Sequence, residues 1–388
     1  MPTTHTIVIG AGIMGLSCAW RLARQGVSVD LLDGRRCGNG ATLAALGALW
    51  PPSPLVNGPL QQLHRASLWE FESFIAELQT ASGQRIPFAR RGRIELLNSD
   101  KAVIRAVEEA AVAVGDWPQF GKDKPVMEVL DPARLAAEFP AIAADGRAAL
   151  LCRATAQVRV AELVAALRAA CLAAGVRIAE GRAVRGLVIE GPKVTGVRME
   201  NGSGEEILKP QNVLVTAGTW SGLVAPEIAN IAPVRPAKGQ GIALRVPSTL
   251  QVESIVKSEK IYLVPWDGET RGNDAGGREI LVGSTTEPEA GFNEEPTDKA
   301  RTLLLDGATA LVPALKGAAI LRQWAGLRPE NPAKKHPPIM GVHPDVENLY
   351  VCTGHFKTGI GLSARVSTLM AGLIIRGEVS ELEGFMPR

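Results

Sequence analysis

Paired cysteines are missing from this chain. Cys18, Cys37, Cys152, Cys171 and Cys352 stand singly, with no C-x-x-C spacing and an odd total of 5, which argues against a disulfide framework and fits a reducing compartment. Charge of one sign is equally absent. The 42 basic and 40 acidic residues are interspersed and leave a net charge of +2, so there is neither a nucleic-acid stripe nor a polybasic membrane patch. Apolar runs are short: Leu362 to Ile375 is interrupted by Ser363, Arg365, Ser367 and Thr368, which argues against a bilayer span. The N-terminus enters its first strand without a charged leader or a cleavage site, and no internal repeat or low-complexity tract is present. The expectation is a cytoplasmic globular chain with no nucleic-acid partner and no membrane insertion. Its 388 residues, 46% of them hydrophobic, can bury two or three cores.

What is present begins at the N-terminus. Ile7, Val8 and Ile9 form a short buried strand, and Gly10, Gly12 and Gly15 give the G-x-G-x-x-G turn. The first glycine bends the chain, the second admits a pyrophosphate, and the third lets helix and strand pack closely. From Ile13 and Met14 to about Arg24 the apolar residues recur at helical spacing, and the start of that helix points unpaired N–H groups at a phosphate. Asp33 closes the second strand, roughly 20 residues after the glycines, where a carboxylate accepts both ribose hydroxyls and repels a 2′-phosphate. FAD or NAD is therefore expected, rather than NADP.

Further along, Gly34 to Leu49 is rich in small residues, suited to close approach of a flat ligand or to a tightly packed helix. The prolines in Trp50-Pro-Pro-Ser-Pro54 end whatever precedes them. Leu60 to Ala81 is an amphipathic helix; His64 lies near its apolar face and has no second metal-type residue at suitable spacing, so no metal site is expected. Arg93 to Leu97 alternates as a strand, Lys101 to Val114 and Val160 to Ala174 are helices, and Asp131-Pro132 opens a short helix. Val176 to Met199 supplies a strand and a hairpin, and Asn212 to Ser221 is a buried strand ending at Gly218. From Pro233 the pattern turns β-rich, with strands at 241–246, 260–264, 279–283 and 318–324, a helix at about Thr297 to Leu311, and a hairpin tip at Arg271 to Gly277. The last segment is a strand, a glycine-rich turn from Gly354 to Gly361, and a helix to about Arg376, whose start supplies donors and partial positive charge.

These features predict an α/β chain: a Rossmann-type domain binding FAD or NAD with a second α+β substrate domain built on an antiparallel sheet. The expected division is 1–84, 151–224 and 325–388 for the nucleotide domain, and 85–150 with 225–324 for the substrate domain.

Four further motifs, Thr216-Ala-Gly-Thr-Trp-Ser221, Tyr262-Leu-Val-Pro265, Trp324-Ala-Gly-Leu-Arg-Pro329 and Gly354-His-Phe-Lys-Thr-Gly-Ile360, follow the nucleotide fingerprint in order. With them the chain resembles the D-amino acid oxidase-like flavoproteins, most of all the glycine oxidase branch, over nearly its whole length. The resemblance implies noncovalent FAD. The related sarcosine oxidases attach flavin to a cysteine shortly before the final strand, and none stands between Cys171 and Cys352. It implies that the isoalloxazine lies near Ala41, Thr42, Leu46, Gly47 and Ala48, and near His355, Phe356, Lys357, Thr358, Gly359, Ile360 and Gly361, with Val184 on the adenine side. Arg328 is implied to grip the substrate carboxylate with help from Tyr262. Lys357 stands where a second arginine is expected, keeping the charge without the planar fork.

The implied activity is oxidative deamination of glycine, sarcosine or a D-amino acid by hydride transfer to flavin, with oxygen reduced to hydrogen peroxide. A homo-oligomer is implied as well. Alternatives are a dehydrogenase subunit that passes electrons to a partner protein or quinone, a flavin-dependent nucleic-acid-modifying enzyme, and a noncatalytic FAD-binding subunit.

Overall fold

Strand His5–Ile9 sits at the centre of a six-stranded sheet because both its faces are apolar. Ile7 and Ile9 point into one core and Val8 into the other, as do Val213 and Val215 against Leu214 on the neighbouring strand. Continuous apolar runs of this kind belong in a parallel sheet covered on both sides. The computed structural model describes residues 5–118, 124–143, 145–201, 204–267, 278–333 and 336–387. In it this sheet runs Ile339–Val342, Leu349–Thr353, Asn212–Val215, His5–Ile9, Ser28–Asp33, Arg177–Glu180, parallel except for the first pair.

Helices Ile13–Ala23, Pro59–Ser82, Val160–Ala173 and Gly359–Arg376 share the core on one face of the sheet. On the other face lies a three-stranded sheet, Val184–Glu190, Lys193–Asn201 and Gly204–Leu208, whose Leu187, Val194, Val197 and Met199 pack against Ile7 and Ile9. The segment Gly34 to Leu49 does not form a helix. It is a run of turns ending in the two-residue strand Ala48–Leu49, paired with Ala156–Val158.

The second sheet has eight strands in the order Ile320–Glu330, Arg235–Val246, Arg278–Gly283, Tyr262–Trp266, Ile255–Lys257, Arg93–Leu96, Ala149–Cys152, Met127–Leu130. All neighbours are antiparallel except Ile255–Lys257 with Arg93–Leu96. One face packs on the helix Asp298–Leu311, through Ile242, Leu244, Leu263, Leu304 and Ala308. The fold is α/β, with a Rossmann-type nucleotide-binding part and an α+β part on a largely antiparallel sheet.

Several local expectations change. Strand Ile320–Glu330 runs six residues past Trp324, so a division between 324 and 325 would cut it; register pairs Ala237 with Arg328 and keeps that arginine in the eight-stranded sheet. Pro329 is tolerated because this is an edge strand. The expected hairpin tip at 271–277 lies outside the described residues. The C-terminal helix Gly359–Arg376 does reach the length and mean hydropathy (1.2) of a membrane-crossing segment, despite its interruptions. Of its length, 61% is buried inside the protein, which is the state of a core helix.

Candidate active site

The glycines act through the backbone. Gly10 adopts φ +104°, a conformation that side chains disfavour, and its N–H donates to the Leu32 carbonyl at 2.7 Å. At Gly15 a Cβ would stand 1.8 Å from the Gly10 carbonyl oxygen, so this glycine is a packing requirement. A Cβ on Gly12 would meet only the Thr42 hydroxyl, at 3.4 Å. The chain itself therefore leaves room at Gly12, which is the position where a pyrophosphate must approach the backbone. Thr42 Oγ1 accepts from the Ile13 N–H at 3.0 Å and ties the small-residue turn to the start of the helix.

Asp33 ends its strand with both oxygens engaged by backbone: the Ala11 N–H donates to Oδ2 and the Arg35 N–H to Oδ1, each at 2.7 Å. Burial pushes its pKa up, and those two N–H bonds together with the Arg35 charge pull in the opposite direction. A carboxylate so oriented keeps lone pairs for ribose hydroxyls.

A single cavity of about 730 Å³ runs from Gly10 and Asp33 past Gly40 to Trp50, and ends among Tyr262, Ser284, Arg328 and Lys357. That volume falls in the range of roughly 300–1,000 Å³ typical of ligand sites. Of the residues expected to line the site, Gly10, Gly12, Ile13, Met14, Asp33, Gly34, Ala41, Thr42, Leu46, Gly47, Ala48, Val184, Gly218, Tyr262, Arg328 and the whole run His355 to Gly361 do so. Gly15 does not; it stands behind the turn. His64, expected to be packed or at the surface, lines the cavity as well, and burial pushes its imidazole down to about 4. Among the lining residues that sequence reasoning passed over are Arg185, Gly239, Lys257, the turn at Ser258 to Ile261, and Ser284. Their only signal in the sequence is proximity to motifs.

The middle of the cavity is shaped by close approaches. Gly47 has φ +80°, and a Cβ there would lie 2.0 Å from the Val158 carbonyl oxygen. Trp324 Nε1 donates to the Ala44 carbonyl at 2.9 Å, tying the small-residue turn to the eight-stranded sheet. Gly359 opens the C-terminal helix, whose first N–H groups lack intrahelical partners and face the cavity.

At the far end Arg328 is part-buried. Its Nη1 donates to the Thr285 carbonyl at 3.0 Å and Nη2 to Ser284 Oγ at 2.9 Å. Among the described residues no carboxylate lies within ion-pairing distance of this guanidinium, which burial pushes below the ordinary arginine range while Tyr262 and Glu287 oppose the shift. Space for it exists because Gly239 faces it: a Cβ there would fall 2.1 Å from Nη2. Burial pushes the Tyr262 phenol up, against the pull of Arg328 and a hydrogen bond with Ser284. Lys357 is held below the ordinary lysine range by burial and by the Arg328 charge. Two cations and a phenol thus converge, and among the described residues no carboxylate forms an ion pair with either cation.

A parallel nucleotide-binding sheet whose cavity continues onto the face of a second, largely antiparallel sheet suits a dinucleotide-dependent oxidoreductase. The chain belongs to the FAD dependent oxidoreductase family, whose model matches residues 5–373. It is similar to a glycine oxidase of Pseudomonas putida, 29% identical over 376 residues that cover 96% of this chain and 95% of the relative. Similarity to hydrogen cyanide synthase subunit HcnC of Pseudomonas aeruginosa is 30% over 412 residues, covering 96% and 93%. Among solved structures, glycine oxidase from Bacillus cereus superposes with a TM-score of 0.84 at 26% identity, covering 99% of this chain and 98% of that one. The cofactor is FAD, and the room at Gly12, the oriented Asp33 carboxylate and the free helix start at Gly359 are a donor set and a shape that fit it.

Proposed function

We propose that this protein oxidises the C–N bond of a small amino acid (glycine, sarcosine or a D-amino acid) and that its reduced flavin is reoxidised by oxygen with release of hydrogen peroxide. The observation that carries the reading is the Arg328 guanidinium, in a cavity with neutral hydrogen-bond partners only and with Tyr262 and Lys357 beside it. Such a site calls for an anion, and a planar fork is matched to a carboxylate.

Arg328 and Tyr262 hold the substrate carboxylate and so fix the direction of the Cα–H bond. Lys357 adds charge on the same side. The substrate amine reacts in its neutral form, and the cations around it favour loss of its proton. Bound FAD supplies the two-electron acceptor that takes the hydride from Cα; water then converts the imine into a 2-oxo acid and ammonia, or a primary amine if the substrate is N-methylated. No side-chain base is needed at Cα. Gly10, Gly12, Ile13, Met14, Asp33 and Gly34 would hold the dinucleotide, Val184 its adenine side, and Ala41 to Ala48 with Gly218 and His355 to Gly361 the flavin. Attachment is noncovalent: Cys352, the one cysteine lining the cavity among the described residues, has its thiol raised well above the ordinary range by contact with Cys18 and by burial, so little thiolate is available.

Similarity to a protein that is one subunit of a larger enzyme favours a second reading, in which a partner protein or quinone takes the electrons. The test is anaerobic mixing of the yellow holoprotein with glycine, sarcosine, proline and both enantiomers of common amino acids, followed by admission of air. Bleaching by a small amino acid and stoichiometric peroxide are expected. Bleaching without peroxide selects the second reading, and no bleaching by any of them refutes both.

A further inference from the structure

We infer that Trp50 is the wall that limits the substrate's side chain, so that the substrates are amino acids carrying hydrogen or a methyl group at the α-carbon. The inference rests on the amino-acid reading above. Trp50 lines the cavity and packs edge to face on Tyr262, with ring centroids 4.9 Å apart and planes at 84°. Tyr262 in turn hydrogen-bonds Ser284, and Ser284 Oγ accepts from Arg328 at 2.9 Å. Trp50, Tyr262, Ser284 and Arg328 therefore form one continuous lining. A carboxylate gripped by Arg328 and Tyr262 has its α-carbon one bond away, and a substituent on that carbon meets the indole.

The indole is hemmed in by its backbone and by its neighbours. Its backbone leaves the strand Ala48–Leu49, which is pinned by pairing of Ala48 with Gln157 and Leu49 with Ala156, and it enters Pro51-Pro52, where proline restricts both its own φ and the residue before it. The Arg93 guanidinium covers the ring at 5.6 Å. Arg93 is itself buried and paired with Glu95 at 3.1 Å, which also holds Lys257. Arg93 and Lys257 lie on adjacent strands of the sheet that carries Tyr262. The wall and the carboxylate clamp are thus parts of one rigid surface.

The test uses the holoprotein and anaerobic flavin reduction by glycine and by both enantiomers of alanine, valine and leucine. In the wild type the second-order reduction constant should fall steeply from glycine and alanine to valine and leucine. Trp50→Ala should raise the valine-to-glycine ratio by about 10–200-fold for each methylene admitted, mainly through the apparent dissociation constant. Trp50→Phe should raise it less. Arg93→Met, which removes the cover on the ring, should move the ratio in the same direction even if Trp50→Ala fails to fold. Wild-type protein that accepts leucine as readily as glycine overturns the wall without any variant. So does an unchanged ratio in a Trp50 variant that keeps its FAD and is still reduced by glycine. Failure of the underlying reading looks different: no amino acid of either hand reduces the wild type, and the wall falls with it.

Discussion

The two ends of the cavity are built from different materials. At the cofactor end the determining groups are backbone: the turn at Gly10, the bare Cα of Gly12, the N–H groups that orient Asp33, and the start of the helix Gly359–Arg376. At the proposed substrate end they are side chains, Trp50, Tyr262, Arg328 and Lys357, brought to one cavity from distant parts of the chain. A backbone site needs its residues close in sequence, because one turn of chain must present several donors to one group. A side-chain site needs only that the fold bring the right residues together, here Tyr262 and Arg328 from strands three places apart in one sheet and Trp50 and Lys357 from outside it. The consequence is a separation of functions: damage at one end should spare the other.

The largest effect that would sharpen this contrast is at Gly15. Gly15→Val places carbon against the Gly10 carbonyl oxygen, where even a Cβ would stand 1.8 Å away, and overpacking of this severity should cost more than about 3 kcal/mol of stability and abolish FAD retention. Gly12→Ala meets only the Thr42 hydroxyl at 3.4 Å, so the apoprotein should melt near the wild-type temperature while FAD affinity drops. Thermal melts with and without added FAD distinguish the two; equal loss of apoprotein stability in both would break the assignment of the open space at Gly12.

Asp33→Ala should weaken FAD by about 1.5–3 kcal/mol, the worth of hydrogen bonds to a charged group, yet leave flavin reduction by substrate near normal once FAD saturates. Full flavin occupancy at low FAD would remove Asp33 from the ribose.

His355 lies at the turn between the two ends, and burial pushes its imidazole down to about 3 from an ordinary 6.5. The unfolded chain therefore binds the proton more readily than the folded one. The stability this group contributes is complete above about pH 6.5 and is lost as pH falls toward 3, at about 1.4 kcal/mol per pH unit. Urea melts of His355→Gln between pH 7 and 5 should show a shallower decline than the wild type; parallel curves would contradict a buried neutral imidazole.

The smallest change is expected at Lys357. Its ammonium keeps the charge but lacks the fork, so Lys357→Arg should tighten substrate binding by no more than about 1 kcal/mol and leave FAD binding unchanged. Weaker substrate binding in that variant would place Lys357 away from the carboxylate.

The same contrast explains what could be read from the sequence. Gly10, Gly12, Gly15 and Asp33 were legible because their spacing is itself the mechanism. Arg328 was legible only through resemblance: what sets it apart is the absence of a carboxylate partner among the described residues and the room left by Gly239, a residue 89 positions earlier in the chain. The strand Ile320–Glu330 was expected to end at Trp324, and Pro329 beyond it is tolerated only because the strand lies at the edge of its sheet. Strand Gly204–Leu208 went unread because its half-exposed, largely polar sequence shows no apolar alternation, and Ile339–Val342 because four apolar-rich residues carry no period. The segment Gly34 to Leu49 offered two readings, and that it is a run of turns rather than a helix shows only in three dimensions.

The central claim is that Arg328 holds the substrate's carboxylate at an end of the cavity separate from FAD. Flavin reduction by glycine and by its decarboxylated counterpart, methylamine, should be measured in wild type and Arg328→Ala, together with FAD content. The account predicts normal FAD content and a loss of roughly 2–5 kcal/mol in glycine binding, the range for truncating one partner of a buried charge pair, with methylamine gaining relative to glycine because it leaves no carboxylate unpaired. An unchanged preference between the two compounds, with FAD still bound, would contradict it.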